Sequence, residues 1–317
     1  MKRNILYSCL SLFVAFVMVV FSAPVQAEDL DQNRSGCTAI AVGKDASVDG
    51  SAMITHNDDS SVADFRLWII PARDWEKGST RDIVLHSHDY VDYGVYPPVY
   101  PEDPPFGGAE IVGVMPQVPH TYAYFHSRYS FMNEKGVAMG ETTLGIDTST
   151  PYGREVRRVM ITDSTGLIDC WFAQDIALER AATAREAVQI MGDLVETYGW
   201  TNQSAECMDI TDGNEVWVAE FYGRDVWVAF KLPDDHVFVS ANRARINYVD
   251  FTDHENYMYS PNLKSFAIQQ GWYIEGDPFK PNEIYCPSKS VYSGRREWRA
   301  LDLMAPSLGL SPHALSL

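Results

Sequence analysis

One cysteine, Cys37, opens the first short apolar run of the chain, in the stretch NRSGCTAIAVG. Cleavage of the Gly36–Cys37 peptide bond would leave Cys37 with a free α-amine, whose ordinary pKa is about 7.7–8.0, beside a thiol of about 8.5. The amine then acts as general base for the side chain of the same residue. Gly36 has no side chain to obstruct attack at this bond. The residues therefore predict a catalytic Cys37 released from a short propeptide, 28–36, with a buried or disulfide-bonded cysteine as the alternative.

A polar cluster, HNDD, ends the second apolar run. If the intervening turn KDASVDG is centred on Ser47, antiparallel pairing sets position 57 opposite position 37. Asn57 would then lie beside Cys37, and Asp59, further along the same face, would orient the new ammonium group. His56 falls on the opposite face of a regular strand and reaches the site only if the strand bulges or ends there.

The N-terminus has the features of a secretory signal peptide. Lys2 and Arg3 precede the apolar run ILYSCLSLFVAFVMVVFSA, and the small residues of VQA offer a cleavage site after Ala27. An uncleaved membrane anchor is the alternative, because the run approaches the length that spans a bilayer. The sequence predicts a signal peptide at 1–27 and a secreted or periplasmic protein with no stable membrane association after cleavage.

The charge balance restricts the partners. The 317 residues include 43 acidic and 25 basic side chains, which gives a formal net charge of −18. Such an excess of negative charge argues against nucleic acid or an anionic membrane surface as partner. A small peptide substrate is the expected partner, and a homo-oligomer is left open.

No metal or organic cofactor is predicted. The sequence has no GxSxG, GxGxxG, P-loop or HExxH motif. The alternating histidines of HSHD at 86–89 lack an apparent third ligand, so an exposed strand explains them better than a metal site. Beyond the signal peptide four cysteines remain, without a CxxC spacing, and their disulfide pairing is left open.

Antiparallel strands with a few amphipathic helices are predicted for 37–317. The clearest helix is 184–198, which Thr183 can cap and Gly199 ends. YSFMNEKGVAMGETTLG predicts a hairpin, and EVWVAEFYG, DVWVAFKLP and HVFVSAN predict a three-stranded antiparallel meander. The proline-rich segment 95–119 is expected to be a long surface loop that packs on the domain. The predicted fold class is therefore α+β, in one domain.

The segment CTAIAVGKDASVDGSAMITHNDDS resembles the start of the C69 family of dipeptidases, cysteine members of the N-terminal nucleophile hydrolases. The resemblance extends over most of the chain from Cys37, through MNEKGVAMGETT, ANRARI and SGRREWRALDLMAPS. Penicillin V acylases and bile salt hydrolases are wider relatives of that family. The fold implied by the resemblance is a four-layer αββα sandwich, with two stacked antiparallel sheets covered by helices.

The resemblance also implies roles for individual residues. Cys37 matches the nucleophile, and Asp59 matches the acidic residue that contacts its amine. Asn242, in SANRA, matches an asparagine that contributes to the site in the acylase relatives. Arg296, in RREWR, matches a site arginine, although the neighbouring Arg295 leaves the register open by one residue.

The sequence departs from the acylase relatives at two positions near the nucleophile. Those relatives have an arginine where this chain has His56, and an oxyanion-hole asparagine where it has Glu141 and Thr142. A carboxylate cannot donate a hydrogen bond to an oxyanion unless it is protonated, so the Thr142 hydroxyl or a backbone N–H would take that role. The chain also stops at PSLGLSPHALSL, where such dipeptidases are expected to continue; it is either a short member or lacks a C-terminal part.

Together these features predict a secreted cysteine dipeptidase whose Cys37 is exposed by autocatalytic cleavage. A free carboxylate at Asp58 or Glu141, beside the scissile bond, suits the α-ammonium group of an unblocked dipeptide. Two alternatives remain: an N-acyl amide hydrolase of the penicillin V acylase or bile salt hydrolase type, and a non-enzymatic exported binding protein whose Cys37 is half of a disulfide. The residues expected to bind substrate are His56, Asn57, Asp58, Glu141 and Thr142.

Overall fold

The computed structural model of the chain describes residues 36–59, 67–85 and 110–312. The predicted signal peptide, residues 28–35 of the predicted propeptide and the HSHD segment lie outside the described residues. Within the described ranges, no helix is both long enough and apolar enough to cross a membrane.

Strands dominate the described chain, and the helices fall into a central group and a C-terminal group. The strands are β1 (Gly36–Val42), β2 (Met53–Asp59), β3 (Trp68–Ile70), β4 (Arg73–Asp74), β5 (Thr80–Leu85), β6 (Glu110–Pro116), β7 (His120–Thr121), β8 (Tyr124–His126), β9 (Met132–Asn133), β10 (Ala138–Leu144), β11 (Ala205–Thr211), β12 (Val216–Gly223), β13 (Val226–Lys231), β14 (Val237–Ser240) and β15 (Tyr257–Tyr259). The α-helices are α1 (Pro151–Arg157), which continues as a π-helix (Arg158–Thr162), α2 (Cys170–Arg180), α3 (Ala184–Tyr198), α4 (Leu263–Gln269), α5 (Pro281–Tyr285) and α6 (Val291–Met304).

The large sheet has eight strands in the order β15-β13-β12-β11-β10-β9-β8-β3, all paired antiparallel. The predicted hairpin is confirmed, since Ala138 of β10 pairs with Met132 of β9. The predicted meander is confirmed for β12 and β13 but is wrong for its third strand. The second edge of β13 is occupied by β15, so β14 leaves the large sheet and pairs with β1 instead.

The small sheet consists of β14, β1 and β2, with β1 in the middle. Its inner face packs on β10 of the large sheet, and Gly140 allows the close approach: a Cβ atom at that position would lie 2.9 Å from the Cβ atom of His56. Because any larger residue would force the two sheets apart, this glycine brings β2 and its polar end against the large sheet.

The helices pack on both faces of the large sheet. The predicted helix 184–198 is confirmed as α3: the Thr183 hydroxyl accepts a hydrogen bond from the Glu186 N–H, and Gly199 ends the helix with φ +73°. Helices α2 and α3 enclose one core with Trp217 and its neighbours on β12, while the opposite face buries Tyr222 against the C-terminal helices. Helix α6 contacts β14 of the small sheet. These elements confirm the α+β class, and the four-layer sandwich stays a prediction.

Of the loop predicted across 95–119, residues 95–109 lie outside the described residues, and the prediction is wrong for 110–116. Residues Glu110–Pro116 form β6, which pairs antiparallel with β5 in a separate two-stranded sheet, for example Val84 with Ile111. The run EIVGV is rich in β-branched residues, and this preference outweighs the proline content on either side.

Candidate active site

The hairpin register places Asp58, not Asn57, opposite Cys37. The connection between β1 and β2 starts with a short 3₁₀ helix, Lys44–Ala46, and Val42 pairs with Met53, so its midpoint falls between residues 47 and 48. The prediction that centred the turn on Ser47 is therefore wrong by half a residue, which shifts the strand pairing by one residue. Because side chains alternate along a strand, this single step exchanges the two faces of β2.

The exchange brings His56 and Asp58 to the face of Cys37 and turns Asn57 and Asp59 away. His56 and Asp58 are half-buried, whereas Asn57 and Asp59 are exposed. No bulge is needed to bring His56 to the site, contrary to the prediction. The Asn57 side-chain oxygen instead accepts a hydrogen bond from the Thr38 N–H, at 2.9 Å. Asp59 lies opposite Gly36 rather than against the thiol.

The Cys37 thiol is buried and donates a hydrogen bond from Sγ to Asp58 Oδ1, at 3.2 Å. Burial raises the thiol pKa, the negative charges of Glu141 and Asp58 raise it further, and a hydrogen bond from the backbone of Thr143 opposes them. The resting thiol is therefore protonated at neutral pH, and it needs a base before it can attack a carbonyl carbon.

The other cysteines of the described chain are not partners of Cys37. Cys170, Cys207 and Cys286 are buried and unpaired, and Cys37 is itself a free thiol. The alternative in which Cys37 is half of a disulfide finds no partner among the described residues.

The backbone nitrogen of Cys37 is held by Asn242. In the structure Gly36 and Cys37 are joined, and the Cys37 N–H donates to Asn242 Oδ1 at 2.9 Å. The Asn242 amide is fixed at its other end, where Nδ2 donates to the Thr143 carbonyl oxygen at 2.8 Å. Asn242 has φ +63°, a left-handed conformation that asparagine tolerates better than most residues. The amide is thus placed to orient the nitrogen that cleavage would convert to an amine, and its role toward an oxyanion stays a prediction.

Arg296 closes the site from helix α6. Its Nη1 donates to the Cys37 carbonyl oxygen at 2.6 Å, and its Nη2 donates to Asn242 Oδ1 at 2.8 Å. The guanidinium group lies 4.3 Å from the centre of the Tyr292 ring, one helical turn earlier. The arginine of RREWR whose side chain contacts Cys37 is therefore Arg296, and its match to the site arginine of the relatives stays a prediction.

An ion-pair cluster that sequence reasoning missed ties α6 to the loop of Asn242. The fully buried Glu297 carboxylate contacts Arg243, and it lies 2.8 Å from Nη1 of Arg245. The arginines of ANRARI and the glutamate of RREW were visible in the sequence, but nothing in either segment indicates that they meet. Their contact positions the two elements that supply Asn242 and Arg296.

Glu141 is not the free carboxylate that was predicted to bind substrate. Its side chain is fully buried, and burial, reinforced by the charge of Glu206 and a hydrogen bond to it, raises its pKa well above the ordinary value. Glu206 is also fully buried, with a raised pKa, and it accepts hydrogen bonds from Asn202 and Ser204. Two adjacent buried carboxyl groups cannot both ionise readily, so the pair favours holding a proton.

The Thr142 hydroxyl is buried and hydrogen-bonded to the hydroxyl of Ser240 on β14. Its role as an oxyanion donor stays a prediction. The Thr143 backbone forms a hydrogen bond that lowers the pKa of the Cys37 thiol, and a backbone N–H as oxyanion donor stays a prediction. Side-chain alternation places residues 142 and 144 on the opposite face of β10 from Glu141.

His56 packs edge-on against Tyr129, with ring centroids 5.6 Å apart. Burial lowers its pKa and the charge of Asp58 only partly offsets this, so the imidazole is neutral at neutral pH. His56 therefore does not supply the positive charge of the arginine that the acylase relatives have at this position. Its nitrogen, Cys37 Sγ and a Glu141 oxygen lie within 4.8 Å of one another, a donor set that would suit a zinc ion.

A cavity of about 310 Å³ opens beside Asp58 and His56. Asp58, which accepts the thiol hydrogen bond, and its neighbour on the same face, His56, both line this cavity. Its opposite wall comes from the segment around Tyr129 and from the start of β10.

A family model and the curated relatives both match this chain to the same group of peptidases. The model of peptidase family C69 matches residues 36–317. The chain is 28% identical over 310 residues to a probable dipeptidase of Latilactobacillus sakei, an alignment that covers 89% of this chain and 56% of that protein. It is 29% identical to a probable dipeptidase of Salmonella dublin (75% and 50%) and 26% identical to dipeptidase A of Lactobacillus helveticus (88% and 56%). The chain thus spans about half the length of these curated relatives.

The family match begins at Gly36, the residue immediately before Cys37. It extends through the strands and helices that supply Asp58, Asn242 and Arg296. The chain belongs to peptidase family C69.

Proposed function

We propose that this protein is a cysteine dipeptidase whose nucleophile is Cys37, exposed as an N-terminal residue by autocatalytic cleavage after Gly36. The observation that carries the proposal is that both reactive atoms of Cys37 are held at once, the nitrogen by Asn242 and the sulfur by Asp58. Family membership and the dipeptidase names of the relatives support the same reaction. The four-layer sandwich implied by the resemblance is part of this proposal.

Activation begins with attack of Cys37 Sγ on the carbonyl carbon of Gly36. The carbon–nitrogen bond breaks, the thiol proton passes to the departing nitrogen, and a thioester joins Gly36 to the sulfur. Water then hydrolyses the thioester and frees both the propeptide and the thiol. Gly36 suits this crowded junction, because a Cβ atom there would lie 3.1 Å from both Arg296 Nη1 and Asn242 Oδ1.

In the mature enzyme the α-amine of Cys37 takes the thiol proton, and Sγ attacks the scissile carbonyl of the substrate. The Thr143 N–H stabilises the developing oxyanion, with the Asn242 amide as a second donor. The tetrahedral intermediate collapses to a thioester as the amine returns its proton to the leaving amino group. Water then clears the thioester and regenerates the thiol. Asp58 binds the α-ammonium group of the substrate, since it is the half-buried anion next to the sulfur.

An N-acyl amide hydrolase would use the same nucleophile, but two features favour a dipeptide. The cavity of about 310 Å³ is at the small end of the range for ligand pockets, which fits an amino-acid side chain better than a bile acid. The Asp58 carboxylate in its lining would attract an ammonium group and leave an uncharged acyl chain without a partner.

The proposal also places the enzyme outside the cytoplasm, in the periplasm or the medium, on the signal-peptide features of 1–27. N-terminal sequencing of the protein from fractionated cells tests this. A protein that retains residues 1–27 in the cytoplasmic fraction would contradict the assignment of the compartment and leave the chemistry untouched.

Intact-mass analysis and a substrate comparison test the function. The mature wild-type protein is expected to begin at Cys37, whereas Cys37→Ala should retain the residues before it and hydrolyse nothing. Cys170→Ala removes a buried thiol outside the site and should process normally. The wild type should cleave an unblocked dipeptide faster than its N-acetylated form or a phenoxyacetyl amide. Faster cleavage of the acylated compounds would assign the protein to the acylase branch.

A further inference from the structure

The cavity beside Asp58 and His56 has an uneven lining. Its polar part includes the Asp58 carboxylate and the neutral imidazole of His56. The rest of the wall is mostly apolar and aromatic, and the polar side chains of Thr55 and Ser127 complete it. The apolar and aromatic residues are Ile54, Tyr129, Phe131, Met132, Ala138 and Met139.

The geometry points to this cavity as the pocket for the side chain of the first residue of the dipeptide, and it selects large apolar side chains. This inference rests on the proposed function, and it defines the preferred substrates as unblocked dipeptides with residues such as leucine, methionine or phenylalanine at the N-terminal position.

The covalent structure of a dipeptide brings its ammonium group and its first side chain to the same place. Both are attached to the α-carbon next to the carbonyl that Sγ attacks, so they diverge from one atom. Asp58 lies 3.2 Å from Sγ and lines the cavity, so an ammonium group at Asp58 leaves the side chain directed toward the aromatic wall. Removing that side chain from water among Tyr129, Phe131 and Met132 is favourable in proportion to its apolar area.

Charge restricts the pocket further. The described lining residues include no lysine or arginine, so an acidic first side chain would lose its hydration without gaining a partner and would be repelled by Asp58. Glycine at the first position would leave the apolar wall uncovered. The pocket therefore discriminates against both small and acidic first residues.

The test measures kcat/KM of the mature enzyme for Leu-Gly, Phe-Gly, Gly-Gly and Glu-Gly. The expected result is at least about a tenfold advantage of Leu-Gly and Phe-Gly over Gly-Gly, the usual size of discrimination by an apolar pocket, with Glu-Gly no better than Gly-Gly. Equal values for all four would overturn the inference while leaving the dipeptidase proposal intact. Hydrolysis of none of them, with a mature N-terminus other than Cys37, would instead overturn the proposed function.

A pair of methionine variants tests the position of the pocket. Met132 lines the cavity and is 39% exposed, and Met304, on α6 outside the lining, is 38% exposed, so the two sites tolerate the same substitution. Met132→Lys is expected to shift the ratio of Glu-Gly to Leu-Gly cleavage by about tenfold toward Glu-Gly, because it introduces the missing cation. Met304→Lys should leave the ratio at the wild-type value. An unchanged ratio in Met132→Lys, with the variant folded and active, would exclude this cavity as the pocket.

Discussion

Exchanging Asp58 for asparagine tests the register of the hairpin and the binding of the substrate's ammonium group together. The side chain keeps its size and loses its charge, and the neighbouring Asp59→Asn makes the same chemical change on the opposite face of β2. In the structure only Asp58 faces Cys37, at 3.2 Å from Sγ. We expect Asp58→Asn to weaken cleavage of unblocked dipeptides and Asp59→Asn to have a small effect.

The size of the effect follows from the charge pair that is lost. An ammonium group about 4 Å from a carboxylate gains about 4 kcal/mol at the effective dielectric constant of about 20 that suits a site near the surface. Asp58 is only half-buried, so solvent screening reduces this to about 2 kcal/mol, which corresponds to about a 30-fold loss in kcat/KM. The thiol responds in the opposite sense, because the Asp58 charge raises the pKa of Cys37 and its removal eases ionisation.

The assay compares Leu-Gly with N-acetyl-Leu-Gly in the wild type and both variants. The acetylated substrate has no ammonium group, so Asp58→Asn should cleave it at the wild-type rate or faster. The ratio of unblocked to acetylated cleavage should therefore fall by about 30-fold or more in Asp58→Asn and stay near the wild-type value in Asp59→Asn. The reasoning is refuted if Asp59→Asn loses the ratio and Asp58→Asn retains it, because the register would then be the one that sets Asn57 opposite Cys37.

Three further experiments probe the buried charges and the metal question. Burial raises the pKa of Glu141, and its ionised form in turn raises the pKa of the Cys37 thiol. Glu141→Gln should therefore keep its kcat/KM at alkaline pH, where the kcat/KM of the wild type declines. Superimposable pH profiles would show that Glu141 does not titrate in the alkaline range. Burial also raises the pKa of Asp209 from 3.8 to about 8, so the folded chain holds a proton that the unfolded chain releases, and stability falls as pH rises between those values. The free energy of unfolding of Asp209→Asn minus that of the wild type, from urea titrations, should therefore rise by a few kcal/mol between pH 4 and pH 8. Parallel curves for the two proteins would contradict the pKa shift. EDTA should leave kcat/KM unchanged. Added Zn²⁺ should lower kcat/KM reversibly by binding Cys37, His56 and Glu141. Inactivation by EDTA would instead show that the reaction requires a metal.

The sequence alone indicated the features that depend on neighbouring residues. The cap at Thr183 and the stop at Gly199 bound α3 because helix ends are set by contacts within a few residues. The Gly36–Cys37 junction and the motif of Asn242 indicated the site because they are short and specific, and the family match supports the recognition. Alternating strands separated by turns were enough for the α+β class.

Tertiary structure decided the features that depend on the exact strand register across a loop or on residues far apart in the chain. The pairing across the connection that contains the 3₁₀ helix Lys44–Ala46 differs from the predicted pairing by one residue, and this step exchanges Asn57 and Asp59 for His56 and Asp58 at the thiol. The same holds for the protonation of Glu141, which follows from its burial beside Glu206, a residue far along the chain. Sequence patterns report local secondary-structure preference and which side chains share a face of a strand or helix. Burial, pKa shifts and contacts between charged groups depend on how distant segments pack together, and neither segment's sequence indicates the other.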